Sequence, residues 1–326
     1  MKIYIYMKTI EVKDKNLLIG EREKPQIGDH EVLIKVKASG INRADIAQKN
    51  GLYPPPPGAS DILGLECSGI IEEVGKEVTS KKPGDEVMAL LGGGGYAEYV
   101  TCPELHAIEK PKNLNWVEAA AIPEVFATCW LNLFMEASMK AGDKVVFHAG
   151  ASGIGTAGIQ LAKTFGCESF VTAGTKEKID FCINLGASNG EVRSKDIFSR
   201  IKDWAPDGVD IILDPVGGNY FERNLEVLGI EGNLIIIGLM GGAKTELNLG
   251  LLMIKRQKII GSTIRARDEK TKNAVMTELS NKLIPHLEVG EIQPIIHQSL
   301  PFEDCLEAHR IMESDENIGK LILELD

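Results

Sequence analysis

The stretch that decides the fold is Lys144-Val145-Val146-Phe147-His148-Ala149-Gly150-Ala151-Ser152-Gly153-Ile154-Gly155-Thr156-Ala157-Gly158. A short apolar run rich in β-branched residues meets a glycine turn, and a helical pattern follows. In this order, backbone N–H groups point at a phosphate and small residues let a pyrophosphate come close. The better register is Gly150-x-Ser152-x-x-Gly155, because its first glycine comes directly off the strand. The stretch predicts a dinucleotide-binding site.

Strands and helices alternate after this stretch, which implies a doubly wound parallel sheet. Continuous apolar runs fit strands that are covered on both faces. The predicted strands are 170–173, 209–214, 234–238 and 258–260, and the predicted helices are 176–185, 220–228 and 247–255.

The first 127 residues read instead as short strands separated by turns, which favours a compact β-rich barrel. The predicted strands are 7–12, 32–38, 70–75, 85–90 and 96–100. Helical spacing at 116–121 and 126–139 marks the boundary. The tail returns to helices, at 272–283 and 302–313, and ends in a strand at 319–325 that closes onto the first domain. We therefore predict a β-rich domain of residues 1–127 and 265–326 and a nucleotide-binding domain of residues 128–264.

Composition limits the function classes. The 326 residues favour two domains. A formal net charge of −11 makes a nucleic-acid partner unfavourable, since phosphate-backbone binding needs clustered Lys and Arg. No apolar run approaches a membrane span, so no membrane partner is expected. The six cysteines are scattered without a C-x-x-C pair, which suits neither a structural zinc nor a disulfide framework and predicts a cytoplasmic protein.

The second strand of the alternating region indicates the cofactor. An enzyme that prefers NAD usually carries an acidic residue about twenty positions after the first glycine, where it binds the ribose hydroxyls. No carboxylate ends this strand, and donors suited to a 2′-phosphate follow instead. These are Gly174, Thr175, Lys176, Lys178 and Arg193. The prediction is NADPH, with two alternatives: the lysines only solvate a helix, or Glu177 turns inward and opposes the phosphate.

Several further motifs together carry a family resemblance over about residues 7–325. They are Ile41-Asn42-Arg43-Ala44-Asp45, Gly51-Leu52-Tyr53-Pro54-Pro55-Pro56-Pro57-Gly58, Leu63-Gly64-Leu65-Glu66, Ala119-Ala120-Ala121-Ile122-Pro123-Glu124, His148-Ala149-Gly150-Ala151-Ser152-Gly153, Gly238-Leu239-Met240-Gly241-Gly242 and Asn317-Ile318-Gly319-Lys320. The chain resembles the zinc-free, zeta-crystallin-like quinone oxidoreductases of the medium-chain dehydrogenase/reductase superfamily, and is closest to their tumour-suppressor-inducible branch. The resemblance implies an α/β fold, with a GroES-like β-rich catalytic domain and a Rossmann domain, as well as NADPH and a homodimer.

The resemblance also bears on metal chemistry. The zinc alcohol dehydrogenases of the superfamily carry a Cys where Asn42 stands and a His where Leu65 stands. Neither residue can supply the thiolate or imidazole that a catalytic zinc requires, so we expect no metal. Without a Lewis acid the hydride acceptor must itself be electron-poor, which favours quinones and activated enones. By resemblance, Asn42, Asp45 and Tyr53 line the acceptor cleft. Tyr53 precedes four prolines that could hold its phenol in place, or it packs at a domain edge.

The resemblance assigns the remaining cofactor contacts. Thr128 is expected near the nicotinamide ribose. Gly150, Ser152, Gly153, Ile154 and Gly155 are expected at the pyrophosphate, and Gly174, Thr175, Lys178 and Arg193 at the 2′-phosphate. Gly238, Leu239 and Met240 would flank the nicotinamide, with Asn317 and Lys320 closing from the tail.

The chain departs from the family pattern at two places, and two functions other than quinone reduction remain open. Arg193 stands where the branch often has a tyrosine, and Lys13-Asp14-Lys15 replaces a Pro-Gly turn, which predicts a local loop change. One rival is an NADPH-dependent alkenal or enone reductase, and the other is a non-catalytic NADPH-binding protein of crystallin-like or RNA-associated type. The expected dimer pairs the edge strands near 258–264.

Overall fold

A computed structural model describes residues 5–326. The chain divides into two compact units, one formed by Met1–Ala127 with Ile264–Asp326 and the other by Thr128–Thr263. The second unit ends one residue before the predicted boundary.

The first unit contains most of its strands before residue 110. Its elements are β1 (Tyr6–Lys13), β2 (Asn16–Glu23), β3 (Glu31–Gly40), α1 (Arg43–Lys49), β4 (Glu66–Val74), β5 (Glu86–Leu90), β6 (Tyr99–Pro103), β7 (Ala107–Glu109), α2 (Trp116–Ala120) and α3 (Pro123–Trp130). A π-helical turn, Leu131–Glu136, continues α3.

The second unit alternates strands with helices, as the sequence predicts. Its elements are β8 (Lys144–His148), α4 (Gly153–Thr164), β9 (Glu168–Ala173), α5 (Lys176–Leu185), β10 (Asn189–Val192), α6 (Ile197–Trp204), β11 (Val209–Asp214), α7 (Gly218–Val227), β12 (Leu228–Ile236), α8 (Leu249–Lys255) and β13 (Lys258–Gly261). The strands form one sheet in the order β10-β9-β8-β11-β12-β13, and every pairing in it is parallel. When the six strands are numbered by their order in the chain, they lie in the order 3-2-1-4-5-6, which is that of a Rossmann sheet.

The tail completes the first unit. It consists of α9 (Glu269–Lys282), α10 (Ile284–Glu288), β14 (Ile296–Pro301), α11 (Cys305–Glu313) and β15 (Lys320–Glu324). β15 pairs antiparallel with β3, with Ile322 opposite Gly40, so the predicted closure of the tail onto the first domain is confirmed. The resulting sheet runs β14-β15-β3-β4-β5-β7, and β6 pairs with β3.

The predicted loop change near residue 14 is a β-hairpin turn. Lys13 pairs with Asn16, and the two residues between them have φ values of 51° and 63°. Positive φ at both central positions is the geometry of a type I′ turn, which twists with the strands that it joins. The sequence analysis missed β2, because Asp14-Lys15 lacks the glycine that usually signals this turn.

A buried polar cluster lies inside the second unit at the end of β8. His148 Nε2 lies 2.8 Å from Asn224 Oδ1, and Asn224 Nδ2 donates to Asp214 Oδ2 at 3.1 Å. Asp214 Oδ1 also accepts the Val216 N–H at 2.7 Å. Burial lowers the pKa of His148. We call His148, Asp214 and Asn224 the core triad of the second unit.

One helical stretch is as long as a membrane span, although the sequence analysis expects no apolar run of that length. Trp116–Glu136 is long and apolar enough to cross a membrane by length and composition, and 83% of its apolar window is buried inside the protein. A buried core helix passes the same test, and the burial of this window is of that kind.

Candidate active site

The turn between β8 and α4 admits only small residues. A Cβ on Gly150 would lie 2.6 Å from Val171 Cβ, and a Cβ on Gly155 would lie 2.3 Å from the Gly150 carbonyl oxygen. Ser152 is the N-cap of α4, and its hydroxyl accepts the Gly155 N–H at 3.1 Å. This geometry fits the register Gly150-x-Ser152-x-x-Gly155. Gly158 instead allows α4 to pack directly on β8. A Cβ at this position would lie 2.4 Å from Phe147 Cε1.

The N-terminus of α4 suits a pyrophosphate. The helix begins at Gly153, and the N–H groups of its first turn have no intrahelical acceptor. The helix dipole favours negative charge at this end. Gly150, Ser152, Gly153, Ile154 and Gly155 therefore lie together at one end of the helix, and their contact with a dinucleotide stays a prediction.

The predicted 2′-phosphate residues meet after β9. Thr175 is the N-cap of α5, and its hydroxyl accepts the Lys178 N–H at 3.3 Å. The Arg193 N–H donates to Ala173 O at 2.8 Å, and Arg193 Nη2 lies 3.0 Å from the place of a Cβ on Gly174. An exposed guanidinium thus lies over a residue without a side chain, which fits a phosphate group.

Two residues of α5 bear on the predicted 2′-phosphate site. Lys176 is exposed and forms an ion pair with Asp180 along α5, which is the surface role that the sequence left open. The Glu177 carboxylate bonds to its own N–H and to the Thr175 hydroxyl, which lower its pKa. A negative charge therefore sits at the same helix end as the predicted 2′-phosphate site.

Of the predicted nicotinamide residues, Gly238, Leu239 and Met240 lie in the loop after β12, and Thr128 lies in α3. A Cβ on Gly238 would lie 2.8 Å from Pro215 O, and the Met240 N–H donates to Pro215 O at 3.2 Å. The loop after β12 is thereby fixed against the loop after β11, with the side chains of Leu239 and Met240 55% and 50% exposed. β12 ends at Ile236, so the predicted strand to 238 was two residues too long. Thr128 is buried, and its carbonyl accepts Asn132 Nδ2 at 2.8 Å.

Lys320 is the centre of a buried ion cluster in the first unit. Its Nζ donates to Ile41 O at 2.8 Å and to Asn42 Oδ1 at 2.6 Å, and it pairs with Glu66 Oε1 at 2.6 Å. Asn42 Nδ2 also donates to Glu66 Oε1, at 2.9 Å. We call Asn42, Glu66 and Lys320 the closed cluster, because each of its polar groups has a partner.

The closed cluster engages two residues that were expected at the cofactor and the acceptor, Lys320 and Asn42. All three donors of the Lys320 ammonium are engaged inside the first unit, where Lys320 is a buried counterion, and its expected contact with the cofactor stays a prediction. The Asn42 amide oxygen and nitrogen are likewise engaged with Lys320 and Glu66. The second N–H of this amide has only a long contact, 3.5 Å to Gly40 O, and the expected place of Asn42 in the acceptor cleft stays a prediction.

Asp45 is structural for the same reason. Its carboxylate accepts the N–H of Asn42 at 2.8 Å and of Gly64 at 3.0 Å, as well as the Tyr96 hydroxyl at 3.2 Å. The Asn42 bond is half of a capping box at the start of α1. Burial raises the pKa of Asp45 to about 6. Asp45 is fully buried and ties three segments together, and its expected place in the acceptor cleft stays a prediction.

Asn317 holds the turn before β15. Its Nδ2 donates to Gly319 O at 2.7 Å. Gly319 has φ 74°, and a Cβ there would lie 2.2 Å from Ile295 O, so only glycine fits. The predicted contact of Asn317 with the cofactor stays a prediction.

Tyr53 stands over a residue that the sequence analysis missed. The guanidinium carbon of Arg265 lies 5.4 Å from the centre of the Tyr53 ring, and Arg265 Nε donates to Gly92 O at 2.8 Å. Arg265 is only 3% exposed, and its Nη2 is buried without a hydrogen-bond partner. Burial lowers the pKa of this guanidinium. No motif in the tail marked Arg265.

Glu124 is the second residue that was missed, although it ends one of the quoted motifs. Its backbone N–H donates to Glu66 Oε2 at 2.8 Å, at the start of α3. Its own Oε2 is buried with no hydrogen-bond partner. Burial, and then the neighbouring Glu66 carboxylate, raise the pKa of Glu124 to about 8. We call Glu124 and Arg265 the open pair, since each keeps a buried polar atom without a partner.

The donors of a metal site do not assemble in the part of the chain that the structure covers. Among residues 5–326, no group of three or more His, Cys, Asp or Glu side chains could hold a metal ion. At the two positions compared with zinc enzymes, Asn42 belongs to the closed cluster and Leu65 is buried in the core. Cys67, next to Glu66, lies in an apolar cluster, and burial raises the pKa of its thiol.

Comparisons with known proteins agree on the family. Residues 28–112 match the alcohol dehydrogenase GroES-like domain, and residues 153–281 match a family described as zinc-binding dehydrogenase. The chain is 31% identical to the quinone oxidoreductase of Homo sapiens, over 91% of this chain and 90% of that protein. It is 30% identical to the synaptic vesicle membrane protein VAT-1 homolog of Danio rerio, over 95% of this chain and 67% of that protein.

Solved structures share the whole fold. A mycobacterial protein complexed with NADPH has a TM-score of 0.88 and 26% identity, over 98% of this chain and 100% of that one. An NAD-dependent alcohol dehydrogenase has a TM-score of 0.85 and 29% identity, over 98% and 100% of the two chains. The JamJ enoyl reductase has a TM-score of 0.87 and 26% identity, over 98% and 99%.

The predicted fold class is confirmed by these matches: a GroES-like domain joined to a Rossmann-type parallel sheet in an α/β protein. The fold is one that binds pyridine nucleotides. With a whole-length quinone oxidoreductase relative at 31% identity, the chain belongs to the medium-chain dehydrogenase/reductase superfamily of oxidoreductases.

Proposed function

We propose that this protein is a zinc-independent quinone reductase of the zeta-crystallin-like branch, which uses NADPH. The observation that carries the proposal is the closed cluster. An ammonium, Lys320 Nζ, is bound to Asn42 Oδ1 and Glu66 Oε1, beside the positions where zinc relatives carry their ligands. A site filled by a cation of this kind offers no Lewis acid to an alkoxide, so the favoured acceptors are those that spread the added charge themselves.

The nucleotide preference rests on the end of α5. Arg193 over Gly174, and the Thr175 hydroxyl, offer a cation and a hydrogen bond to a 2′-phosphate. Similarity to a structure complexed with NADPH supports this preference. The Glu177 carboxylate, and similarity to an NAD-dependent enzyme, favour NADH. We favour NADPH because no acidic residue ends β9, where a ribose-binding carboxylate belongs.

The residues of the chain then act as follows. A bound dihydronicotinamide supplies a hydride at C4. The first turn of α4 binds the pyrophosphate through its N–H groups, and Ser152 keeps that turn closed. Tyr53 offers a flat aromatic face, backed by the Arg265 guanidinium, to a planar conjugated acceptor. The closed cluster and Asp45 hold the walls of the first unit rigid around it.

An enone reductase is the alternative with specific support. The likeness to the JamJ enoyl reductase covers nearly the whole chain, and quinones and enones need the same electron-poor character. Values of kcat/KM on a quinone and on an enal, measured side by side, separate the two functions.

The deciding experiment follows NADPH oxidation with an ortho-quinone, a para-quinone and a simple enal, then repeats it with NADH and after treatment with a chelator. Turnover of a quinone that is weak with NADH and unaffected by the chelator supports the proposal. Loss of activity on chelation contradicts the zinc-independent mechanism. Tight NADPH binding with no turnover of any acceptor supports the non-catalytic, crystallin-like or RNA-associated alternative.

Assembly and location are part of the same proposal. We propose a homodimer, supported by β13 at the edge of the second unit's sheet and by apolar side chains on α8. Leu249, Met253 and Ile254 are 67%, 72% and 72% exposed. Met253→Asp is expected to give a monomer in light scattering. We propose a cytoplasmic location, supported by six cysteines that are all free and buried.

A further inference from the structure

We propose that the open pair completes the reduction: Arg265 binds the carbonyl oxygen of the acceptor, and the carboxylic acid of Glu124 protonates that oxygen after hydride transfer. The inference rests on the proposed function and names two catalytic residues for it. The class of ligand is a conjugated carbonyl compound whose oxygen becomes an anion during the reaction.

The first step of the argument is the buried guanidinium. Only 3% of the Arg265 surface is exposed, yet its Nη2 has no hydrogen-bond partner. Its other contacts are a hydrogen bond from Nε to Gly92 O at 2.8 Å and a long one from Nη1 to Tyr53 O at 3.5 Å. A charged donor buried without a partner is costly, and native structures rarely keep one without a reason. An acceptor oxygen would satisfy it.

The second step is the orphaned carboxyl group. Glu124 Oε2 is also buried without a partner, and the open pair does not form an ion pair within residues 5–326. In its protonated form the Glu124 carboxyl group is an O–H donor, so Arg265 and Glu124 each offer a buried donor to a third group. An oxygen that accepts from Arg265 and receives a proton from Glu124 meets both demands.

The surroundings of Glu124 keep its proton. The carboxylates of Glu66 and Asp45 oppose its ionisation, whereas the cations of Lys320, Arg265 and Lys272 favour it. Burial is the largest influence, and together these raise the pKa of Glu124 to about 8. The group is thus an acid at neutral pH, as a proton donor should be.

The step balances as follows. The acceptor takes a hydride with its electron pair from the bound dihydronicotinamide, which is thereby oxidised. The π-electron pair of the acceptor moves onto its carbonyl oxygen, and the Arg265 N–H groups bind the resulting anion. The O–H bond of Glu124 then breaks as its proton forms a new O–H bond on the acceptor. Water returns a proton to the Glu124 carboxylate.

The test uses the holoenzyme and two variants, Glu124→Gln and Arg265→Lys. Each is expected to lower kcat with a para-quinone about 100-fold while NADPH binding is unchanged. In the parent, kcat falls as the pH rises through about 8, and Glu124→Gln removes that fall. Glu288→Gln and Arg267→Lys are the matched controls. Should Glu124→Gln fail to fold, Glu124→Asp keeps the acid and shortens its reach.

The outcomes separate the two proposals. Quinone turnover by the parent, with both variants as active as the controls, overturns the inference and leaves the proposed function in place. No turnover by the parent overturns the proposed function and the inference with it.

Two further readouts do not depend on turnover. Infrared spectra of the holoenzyme should show a protonated carboxylic acid that persists to about pH 8 and is absent from Glu124→Gln. Its absence from the parent overturns the role of Glu124. With oxidised cofactor bound, para-nitrophenolate should bind at least tenfold more weakly to Arg265→Gln than to the parent, and equal affinity overturns the role of Arg265.

Discussion

Two neighbouring polar groups of the first unit differ in whether their buried polar atoms have hydrogen-bond partners. The closed cluster of Asn42, Glu66 and Lys320 satisfies its charges, whereas the open pair of Glu124 and Arg265 keeps two buried polar atoms without hydrogen-bond partners. Glu66 belongs to both neighbourhoods, since its second oxygen accepts the Glu124 N–H. A satisfied buried cluster fixes geometry, and an unsatisfied one is where a ligand can act.

The second unit repeats the contrast. Its core triad is hydrogen-bonded throughout, whereas Arg193 is exposed over Gly174 and has no hydrogen bond from its guanidinium in the chain from residue 5 onward. In the first unit both groups are buried, whereas in the second unit the open group, Arg193, is exposed, so burial alone does not separate open groups from closed ones.

The largest effect is expected from breaking the closed cluster. Lys320→Met leaves the Glu66 carboxylate buried without its cation, which should lower the free energy of unfolding by about 3–5 kcal/mol. Denaturant unfolding measures it. The double variant Glu66→Gln with Lys320→Met should recover most of the loss. A single variant as stable as the parent would show that the cluster is not closed.

A smaller effect is expected from the acid of the open pair. Because folding raises the pKa of Glu124 from 4.5 to about 8, its contribution to stability is present below pH 4.5 and is lost as the pH rises through 8. Glu124→Gln does not titrate. Its advantage in stability over the parent should therefore grow between pH 5 and pH 9, to about 2 kcal/mol after allowance for solvent screening. Thermal unfolding across this range measures the difference, and a constant difference contradicts it.

Arg193 tests the open group of the second unit. Arg193→Ala removes a charged donor from the expected 2′-phosphate, so the Kd of NADPH should rise about tenfold while that of NADH stays the same. Calorimetric titration with both nucleotides measures this. Lys176→Ala, which breaks only an ion pair on the surface of α5, is the control. Equal weakening of both nucleotides would place Arg193 elsewhere than at the phosphate.

The smallest effect is expected at Tyr53. Tyr53→Phe keeps the ring over Arg265 and removes only the hydroxyl, so kcat with a para-quinone should fall about threefold at most. Full kcat would exclude proton donation by the phenol. A fall of a hundredfold would transfer the role of proton donor from Glu124 to Tyr53.

Residues 144–158 show how much local sequence can predict. Strand, glycine turn and helix are encoded within fifteen residues, so β8, its turn and α4 follow from spacing alone. β14 was harder, because a short strand with half-buried side chains leaves no clear alternation. The start of β6 was predicted three residues early, because Ala97, just before the strand, forms only an isolated bridge with Thr9.

The sequence by itself determined the α/β class, the alternation of strands and helices, the small-residue turn and the lack of an acid at the end of β9. Those features depend on neighbours within one supersecondary unit, where spacing and residue type decide the outcome. Only the tertiary structure decided that Lys320 neutralises Glu66, that Asp45 is fully bonded, and that Arg265 and Glu124 are not. Each of those facts joins residues far apart in the chain, and whether a buried charge has a partner is set by packing.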